Sequence, residues 1–370
     1  MNSGARARAV HLGRVRYPVM SRVIPPNLMS EEEQTAWRRF QRTNPALGSA
    51  FFSLSFTLAV AAVRADVWVC VIERGGDIAA LIPFQFQGRI QHLLRAAEPV
   101  GGEMSDYFGL IAPVGFATDV PTLLRTAQLS AINFRNLPAE QLGFGLTGEQ
   151  PERGHRIEIG QDVRNYWVNL KQQNESLFRE LERRERRITE ELGPLALRFD
   201  VIDKDRELDH LVVMKRAQYR ETGVADALSE RWHRQLLRSL AFTRDPECTG
   251  VLSTLYAGAH WVASHFGLRC GTTLHYWFPV YNPPLAKFGP GHLLLKHIID
   301  GAAAAGVQAI DRGAGHQPHK SAYVTEHRLY YRGCWHDGSL RAGMYRGLQS
   351  IAWRWQAGRG GGRRSTAEDD

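Results

Sequence analysis

The sequence predicts a mixed α/β protein built from two domains in tandem. Three observations support this prediction. A chain of 370 residues is longer than one ordinary domain, and its 44% hydrophobic content is enough to form packed cores. The first half contains a hairpin pattern around a Gly-Gly turn. The second half contains three consecutive strand patterns, a Gly-Pro-Gly turn, an apolar helix pattern and a further strand pattern.

The first half alternates short helix and strand patterns. The β-rich runs 67–73 and 78–86 flank the turn Arg74-Gly75-Gly76-Asp77, which is typical of a hairpin. A polar stretch with Gly and Pro, 147–154, marks the predicted end of this half. The other elements predicted here are a helix at 31–42, a strand at 107–111, a helix at 120–129 and a strand at 131–137.

The second half begins with an amphipathic helix that ends near residue 192. Asn174 can cap this helix, Leu177, Leu181 and Ile188 lie on one stripe, and Gly193-Pro194 stops it. The elements predicted after it are a strand at 196–202, helices at 208–220 and 230–243, strands at 250–256, 260–268 and 272–281, a helix at 292–305, a strand at 307–311, a short helix and a strand at 329–334.

These patterns divide the chain into two domains between two tails. The first 20 residues carry several Arg but no apolar segment of the kind that a secretory signal contains. The Arg- and Gly-rich end after Trp355 is predicted to be disordered. The predicted segments are a tail at 1–20, an N-terminal domain at 21–154, a C-terminal domain at 155–350 and a tail at 351–370.

Composition and charge limit the location, the metal sites and the binding partners that we expect for this protein. The longest apolar run, 50–63, is shorter than the roughly 18 residues that a membrane helix needs, and hydroxyl side chains interrupt it. The four cysteines have no paired spacing, so no metal site is predicted, and without an export signal a reduced, cytoplasmic location is expected. The net charge of +8 favours an anionic partner without choosing among CoA, nucleic acid, lipid and acidic glycan. Aromatic residues do not interleave with the basic ones, so no specific DNA binding is expected.

The segment Phe288-Gly289-Pro290-Gly291-His292-Leu293 is the most informative part of the chain. It follows an aromatic strand pattern and opens the apolar helix pattern. Small residues at a helix N-terminus leave backbone N–H groups unpaired, and these groups, with the positive end of the helix dipole, form a seat for a phosphate. The alternative, without a binding role, is an ordinary turn between a strand and a helix. The functional interpretation makes all six residues candidates for cofactor binding.

Several local motifs, taken in order, resemble those of a known family. An Arg-rich run, Arg183-Arg184-Glu185-Arg186-Arg187, precedes this turn, and Asp311-Arg312-Gly313-Ala314-Gly315 and Lys320 follow it. The first half has Ser105-Asp106-Tyr107 after a hairpin that ends in Ile82-Pro83-Phe84. Over roughly residues 30–340 the chain therefore resembles GNAT-superfamily N-acyltransferases of the cellulose-biosynthesis (CelD-like) type, which are relatives of the FemAB-type peptidoglycan transferases. One position departs from that family, because its Tyr-Lys pair is His319-Lys320 here.

The resemblance implies two tandem GNAT-like domains, of which the C-terminal one is complete and has a splayed central sheet. It implies an acyl-CoA as co-substrate, with acetyl-CoA expected, bound on the Phe288–Leu293 turn, and no metal. The implied acceptor is an amine of a sugar, or of a cell-envelope or polysaccharide precursor, bound as a small molecule or glycan in the groove between the halves.

Five residues are candidates for binding that acceptor. Asp106 and Tyr107 belong to the expected domain interface, where sites are common, although a turn before a strand explains Asp106 as well. Tyr276 faces either the acceptor or the core. Arg183 and Arg187 fit either a clamp for a polyanion or a solvated helix face, because glutamates at i,i+4 spacing accompany the arginines of this helix.

Acyl transfer from a thioester to an amine needs a base for the ammonium, a donor for the oxyanion and an acid for the thiolate. Asp311 at its strand end is a candidate catalytic residue or a cap for the next turn. Lys320 is a candidate for stabilising the oxyanion or binding an anionic acceptor. His319, like His316, is a candidate base near neutral pH or a polar loop residue. Tyr323 is a candidate acid or a packing residue.

Two other functions fit the same sequence. A FemAB-type enzyme would transfer an aminoacyl group from charged tRNA and would need a wide basic surface, for which the Arg-rich helix is the visible candidate. Under that alternative alone, tRNA is an expected partner. A catalytically silent acyltransferase-like module in polysaccharide biosynthesis is the second alternative, and the missing Tyr before Lys320 favours it.

Overall fold

A computed structural model describes residues 19–315 and 322–360, and for 351–360 it describes the backbone alone. The strands are β1 (Val19–Ile24), β2 (Val67–Arg74), β3 (Asp77–Gln85), β4 (Ala96–Ala97), β5 (Ala131–Pro138), β6 (Glu149–Glu158), β7 (Leu195–Arg198), β8 (Arg244–Asp245), β9 (Cys248–Ala257), β10 (His260–Cys270), β11 (Thr273–Tyr281), β12 (Ala309–Ala314) and β13 (Glu326–His336). The helices are α1 (Glu31–Thr43), α2 (Leu54–Val63), α3 (Arg89–Leu94), α4 (Val120–Thr126), α5 (Val163–Gln173), α6 (Glu175–Leu192), α7 (Lys204–Thr222), α8 (Arg231–Phe242), α9 (Pro290–Ala304) and α10 (Leu340–Gly360).

Most strands join one large mixed sheet. Its order is β4-β5-β13-β6-β12-β11-β10-β9-β7, with β8 paired to β9. The pairs β4–β5 and β11–β12 are parallel, and the other ladders of this sheet are antiparallel. A separate antiparallel sheet contains β1, β2 and β3, of which β2 and β3 are the predicted hairpin. The predicted mixed α/β fold class is confirmed.

The large sheet runs without interruption through both halves of the chain. β13 lies between β5 and β6 and pairs with both, and β6 pairs on its other side with β12. The stretch 147–154, which the sequence predicts as a linker, therefore lies mostly within β6. Its polar residues are those of a strand whose first half is largely exposed, so polarity here reflects solvent contact and not a flexible connection. The division into separate domains at this point stays a prediction.

Helices cover both faces of the large sheet. On one face α7 and α8 pack together with α1 and α2 against residues such as Leu252 and Phe266. On the other face α5, α6 and α9 pack against residues such as Leu274 and Ile310. The central strands β11 and β12 are thus held between two helical layers. Among the helices of the described ranges, none is both long enough and apolar enough to cross a bilayer.

The Arg-rich helix begins and ends close to where the sequence predicts. The Asn174 side chain accepts a hydrogen bond of 3.1 Å from the Leu177 amide at the N-terminus of α6. At the other end, Gly193 adopts φ 105, a conformation that favours glycine, and stops the helix. Local capping therefore fixes the length of α6, and its stripe with Leu181 and Ile188 is buried in the core, as predicted.

Three predicted elements differ in the structure. The run 107–111 contributes one isolated bridge, between Ile111 and Leu81, because its hydrophobic residues are buried as a loop. The strand predicted to reach residue 202 ends at Arg198, since Asp200 has φ 49, which a strand cannot continue. The end that is predicted to be disordered after Trp355 continues the backbone of α10 to Gly360.

Candidate functional site

The Gly-Pro-Gly turn presents the backbone of a helix N-terminus. Gly289 has φ 61, precedes α9 and offers no side-chain cap to it. The amides of His292 and Leu293 bond to the Gly289 carbonyl, whereas the Gly291 amide has no hydrogen-bond partner among the described residues. Phe288, Pro290 and Leu293 are buried. The Gly289 amide bonds to the Ala286 carbonyl, so of the six predicted cofactor-binding residues only Gly291 offers an amide without a partner among the described residues, fewer than the unpaired N–H groups that the sequence predicts.

Arg184 of α6 lies directly against this turn. A Cβ atom built on Gly289 would fall 1.7 Å from the Arg184 Nη1 atom, so the guanidinium occupies the space that a side chain at 289 would need. Its Nε donates to Glu180 Oε1 at 2.6 Å. The sequence singles out Arg183 and Arg187 instead. Arg183 is half exposed and pairs with Glu180, and Arg187 pairs with Glu191 beside the Phe288 ring.

An ion-pair cluster fixes α6 against α9. Glu185 Oε1 accepts a hydrogen bond from Lys296 Nζ at 2.7 Å and lies 3.0 Å from His297 Nε2. Burial alone would raise the pKa of Glu185, but the bonds from His297 and Lys296 outweigh it and lower the pKa to about 2. The carboxylate stays ionised near neutral pH. This cluster therefore holds the Arg184 side of α6 at the N-terminal turn of α9.

The strands β11 and β12 separate next to the turn. Their parallel ladder holds three residue pairs and ends at His275↔Asp311, although β11 continues to Tyr281. Opposite β10, the register steps from Phe266↔Phe278 to Gly267↔Tyr276, so Trp277 is an additional, bulged residue. This geometry matches the splayed central sheet that the sequence predicts. The open edge of β11 can accept main-chain hydrogen bonds from an extended ligand.

A partly buried lysine of α7 contacts that open edge. Pro279 has no N–H group, and its carbonyl accepts a hydrogen bond of 2.7 Å from Lys215 Nζ of α7. Burial lowers the pKa of Lys215 to about 8. The Lys215 ammonium also donates to Gln218 at 3.0 Å. Lys215 could not be predicted as a site residue, because nothing in the sequence pattern of α7 shows that this side chain reaches β11.

Four side chains from distant parts of the chain meet where the ladder ends. Asp106 Oδ2 lies 2.5 Å from His275 Nε2, and His275 Nδ1 lies 3.8 Å from Asp311 Oδ2. The Tyr107 hydroxyl donates to the same Asp311 oxygen at 2.8 Å, and the Gly313 amide donates to its other oxygen at 2.9 Å. The predicted residues Asp106, Tyr107 and Asp311 are thus brought together, and His275 joins them.

His275 forms a buried ion-pair network with the two aspartates. Burial disfavours its charged form, but the hydrogen bond to Asp106 and the negative charges of Asp106 and Asp311 outweigh burial and raise the pKa of His275 to about 9. For Asp311, burial alone would raise the pKa, and His275, the Gly313 amide and Tyr107 instead lower it to about 2. The pKa of Tyr107 is raised well above its ordinary value, chiefly by burial. Asp311 is therefore suited to holding a cation and is a weak proton acceptor.

A shallow cavity between the two halves opens beside this network. Tyr107 stacks on Tyr330 with ring centroids 4.9 Å apart, and a Cβ atom on Gly154 would fall 2.2 Å from the Tyr330 ring. A glycine at 154 therefore leaves the space that Tyr330 needs to lie over β6. The residues that line the cavity are Pro45, Ala46, Gly48, Ser49, Phe52, Tyr107, Pro138, Glu140, Arg156, Asp311, Arg328 and Tyr330.

The remaining predicted site residues do not join the network. Tyr276 stacks on the buried ring of His265, with centroids 4.2 Å apart, on the face of the sheet that packs against α9. Its ring is partly buried there, and its contact with the acceptor stays a prediction. His319 and Lys320, together with His316, lie outside the described residues. Tyr323 is buried, and its hydroxyl lies 3.3 Å from His292 Nδ1 at the start of α9.

Comparison with known proteins supports the fold. Residues 176–321 match a family model described as Acetyltransferase (GNAT) domain. This range includes α6, the splayed strands, the turn and Asp311. No curated protein sequence matches the chain.

Several solved structures share this fold at low sequence identity. The chain is similar to FemX, with a TM-score of 0.53, 10% identity, and 78% of this chain and 92% of that chain covered. It is also similar to the C-terminal domain of a putative lysylphosphatidylglycerol synthetase from Agrobacterium fabrum (TM-score 0.51, 12% identity, 86% and 96% covered). A third is L-PGS from Bacillus licheniformis (TM-score 0.50, 12% identity, 88% and 98% covered). The chain has a mixed α/β fold of GNAT type, and the CelD-like type stays a prediction.

Proposed function

We propose that this protein is an N-acyltransferase that moves an acyl group from acyl-CoA, with acetyl-CoA the expected donor, to an amine. The observation that carries the proposal is the adjacency of an uncapped helix N-terminus, the Arg184 guanidinium and the open edge of β11. A phosphate fits the first two, because the Gly291 amide, the positive end of the α9 dipole and the Arg184 charge meet at one turn. An extended, amide-containing arm fits the third.

The network at the end of the ladder supports an acceptor that arrives as an ammonium. Asp311 stays ionised well below neutral pH and, with Tyr107, lines the cavity between the halves. The bound ammonium first loses one proton to a base, which passes it to solvent. The amine nitrogen then attacks the thioester carbonyl carbon, a C–N bond forms and the C–S bond breaks, while the nitrogen loses a second proton and the thiolate gains one. We propose that Asp311 orients the amine. His319 and Lys320 keep their predicted roles, as candidate base and as candidate oxyanion donor.

The acceptor is proposed to be a sugar amine or an envelope or polysaccharide precursor, on the family resemblance alone. A FemAB-type transfer from aminoacyl-tRNA is the second candidate, and the fold similarity to FemX is compatible with it. The Arg-rich helix weakens this alternative, since Arg183 and Arg187 are already paired with glutamates of their own helix. A catalytically silent module is the third candidate.

Calorimetric titration of the full chain with acetyl-CoA, CoA and charged tRNA separates these functions. Acetyl-CoA is expected to bind near micromolar affinity. Arg184→Gln should weaken this binding at least about tenfold, because it removes one charge-assisted phosphate contact. Arg183→Gln is the matched control and should leave the affinity unchanged. Absence of acetyl-CoA binding, or equal losses in both variants, would contradict the proposed donor site.

Transfer itself is measured by thiol release from acetyl-CoA in the presence of amine-bearing sugars. Binding without transfer for any amine tested would favour the silent module. Tight binding of charged tRNA, with none of acetyl-CoA, would favour the FemAB-type enzyme.

A further inference from the structure

The helices α3 and α10 together form a surface that the proposed chemistry does not use. They pack on each other and on β4 and β5 through a small core of Leu94, Ala96, Ala131 and Tyr345. This packing leaves other large apolar side chains of both helices in solvent. They are Ile90 (63% exposed), Leu93 (75%), Leu340 (89%), Met344 (62%) and Leu348 (46%). We call these five residues the apolar stripe.

Each of the two helices in contact carries its part of the apolar stripe along one side. Leu340, Met344 and Leu348 recur every fourth residue, so they lie along one side of α10. Ala342 and Tyr345 of the same helix are buried and point to another side. Contiguous exposed apolar surface of this kind marks an interaction site more often than isolated exposed residues do.

Four arginines surround the apolar stripe and lack acidic partners. Arg89 and Arg95 border α3, and Arg341 and Arg346 belong to α10. Neither helix contains Asp or Glu, and within the described residues none of the four guanidinium groups forms an ion pair with a carboxylate. Burial, and then the nearby charge of Arg341, lower the pKa of Arg95, so two like charges stand close together. On α6, by contrast, Arg183, Arg184 and Arg187 all pair with glutamates.

We propose that α3 and α10 bind the surface of a bilayer that contains anionic lipids. Exposed apolar side chains flanked by arginines match the interface between acyl chains and acidic headgroups, and such binding needs no helix that crosses the membrane. A second copy of this chain fits less well. A two-fold interface would bring the four arginines of one copy, which have no acidic partners among the described residues, against those of the other. Nucleic acid would leave the apolar stripe without a partner.

The test is flotation of the full chain with vesicles. Vesicles of phosphatidylcholine with about 30% phosphatidylglycerol should carry the protein at about 0.1 M salt, and pure phosphatidylcholine vesicles should not. Raising the salt to about 0.5 M should release it, because the arginine contacts are screened. Absence of binding to the anionic vesicles would overturn the proposal.

Two double variants test the two components separately. L340Q/M344Q removes apolar contact and R341Q/R346Q removes charge, and each should reduce the bound fraction at least about tenfold. R183Q/R187Q is the matched control, since it removes the same charge from α6 and should keep vesicle binding. Equal losses in the control would mean that net charge alone drives binding and would overturn the proposal.

Two further measurements distinguish the other occupants. A dimer seen by sedimentation that L340Q/M344Q dissociates would assign the apolar stripe to a second copy and overturn the proposal. Tighter binding of a short RNA than of anionic vesicles would overturn it too. Acetyl-CoA affinity should be unchanged in both α10 variants, so this inference and the proposed acyl transfer can fail independently.

Discussion

The charged imidazole of His275 should make the stability of the fold fall as the pH rises from neutral to alkaline values. His275 is 3% exposed and lies between Asp106 and Asp311. Because its pKa is raised in the folded protein, the folded state binds this proton more tightly than the unfolded state does. The stabilisation is complete below pH 6.5 and is lost as the pH rises through about 9.

The size of the effect follows from the same two values. A pKa of about 9 against an ordinary 6.5 corresponds to about 3 kcal/mol of folding free energy. In His275→Gln, the buried Asp311 and the partly exposed Asp106 lose their cation, which costs at most about 3–5 kcal/mol. The variant should therefore be less stable than the wild type near neutral pH, and the gap should narrow by about 3 kcal/mol near pH 10, where the wild-type ring is neutral.

The measurement is urea unfolding of both proteins at intervals from about pH 6 to about pH 10. Lys215, whose pKa of about 8 is lowered, acts in the opposite direction, but it is present in both proteins and cancels in the difference. His260→Gln, at an exposed position on β10, is the control and should give no gap. A gap between wild type and His275→Gln that is constant across this range would refute the reasoning.

Three other substitutions test separate parts of the structure. Gly289→Ala should weaken acetyl-CoA binding at least about tenfold, because the new methyl group displaces the Arg184 guanidinium. Gly271→Ala is the control: Gly271 has a similar φ of 55 and open space around it, so the substitution should cost only about 1 kcal/mol of stability. Equal calorimetric affinities of the two variants for acetyl-CoA would contradict this prediction. Gly154→Ala should cost about 1–3 kcal/mol in urea unfolding by overpacking the ring above it, and an unchanged midpoint would show that the ring moves freely. Lys204→Met should cost about 1–3 kcal/mol in urea unfolding, since it removes the buried ammonium that bonds to the Ala241 and Gly250 carbonyls and to Asp200, and leaves only the longer contacts of Arg244 with them; an unchanged midpoint would show that Arg244 alone is sufficient.

The structure of the proposed donor side could largely be predicted from sequence, because its signals are local. The turn at 288–293, the cap of α6 and the order of strands around them depend on neighbours in the chain. Arg184 is the exception. Five charged residues in a row carry no information about which one meets Gly289, and the contact depends on how α6 crosses α9.

For the proposed acceptor side, the sequence predicts individual residues but not which of them lie in contact. Asp106 and His275 are 169 residues apart, and Tyr107 and Asp311 are 204 apart. Pairing over such distances is set by the topology of the large sheet, which no local pattern reports. The charge states could not be predicted from sequence for the same reason. Only burial and mutual contact in the folded protein raise the pKa of His275 to about 9 and lower that of Asp311 to about 2.

The position of β13 has a consequence for synthesis of the chain on the ribosome. β5 and β6 emerge early, yet the strand that joins them is among the last to be made, and Trp335 of β13 bonds to Thr147 across 188 residues. A nascent chain that ends before β13 therefore holds two unpaired strand edges, which favour association with other chains. We expect ribosome-stalled chains to be cleaved by protease around 131–158 until β13 has left the exit tunnel. Folding of the first half is then completed by the last strand of the sheet.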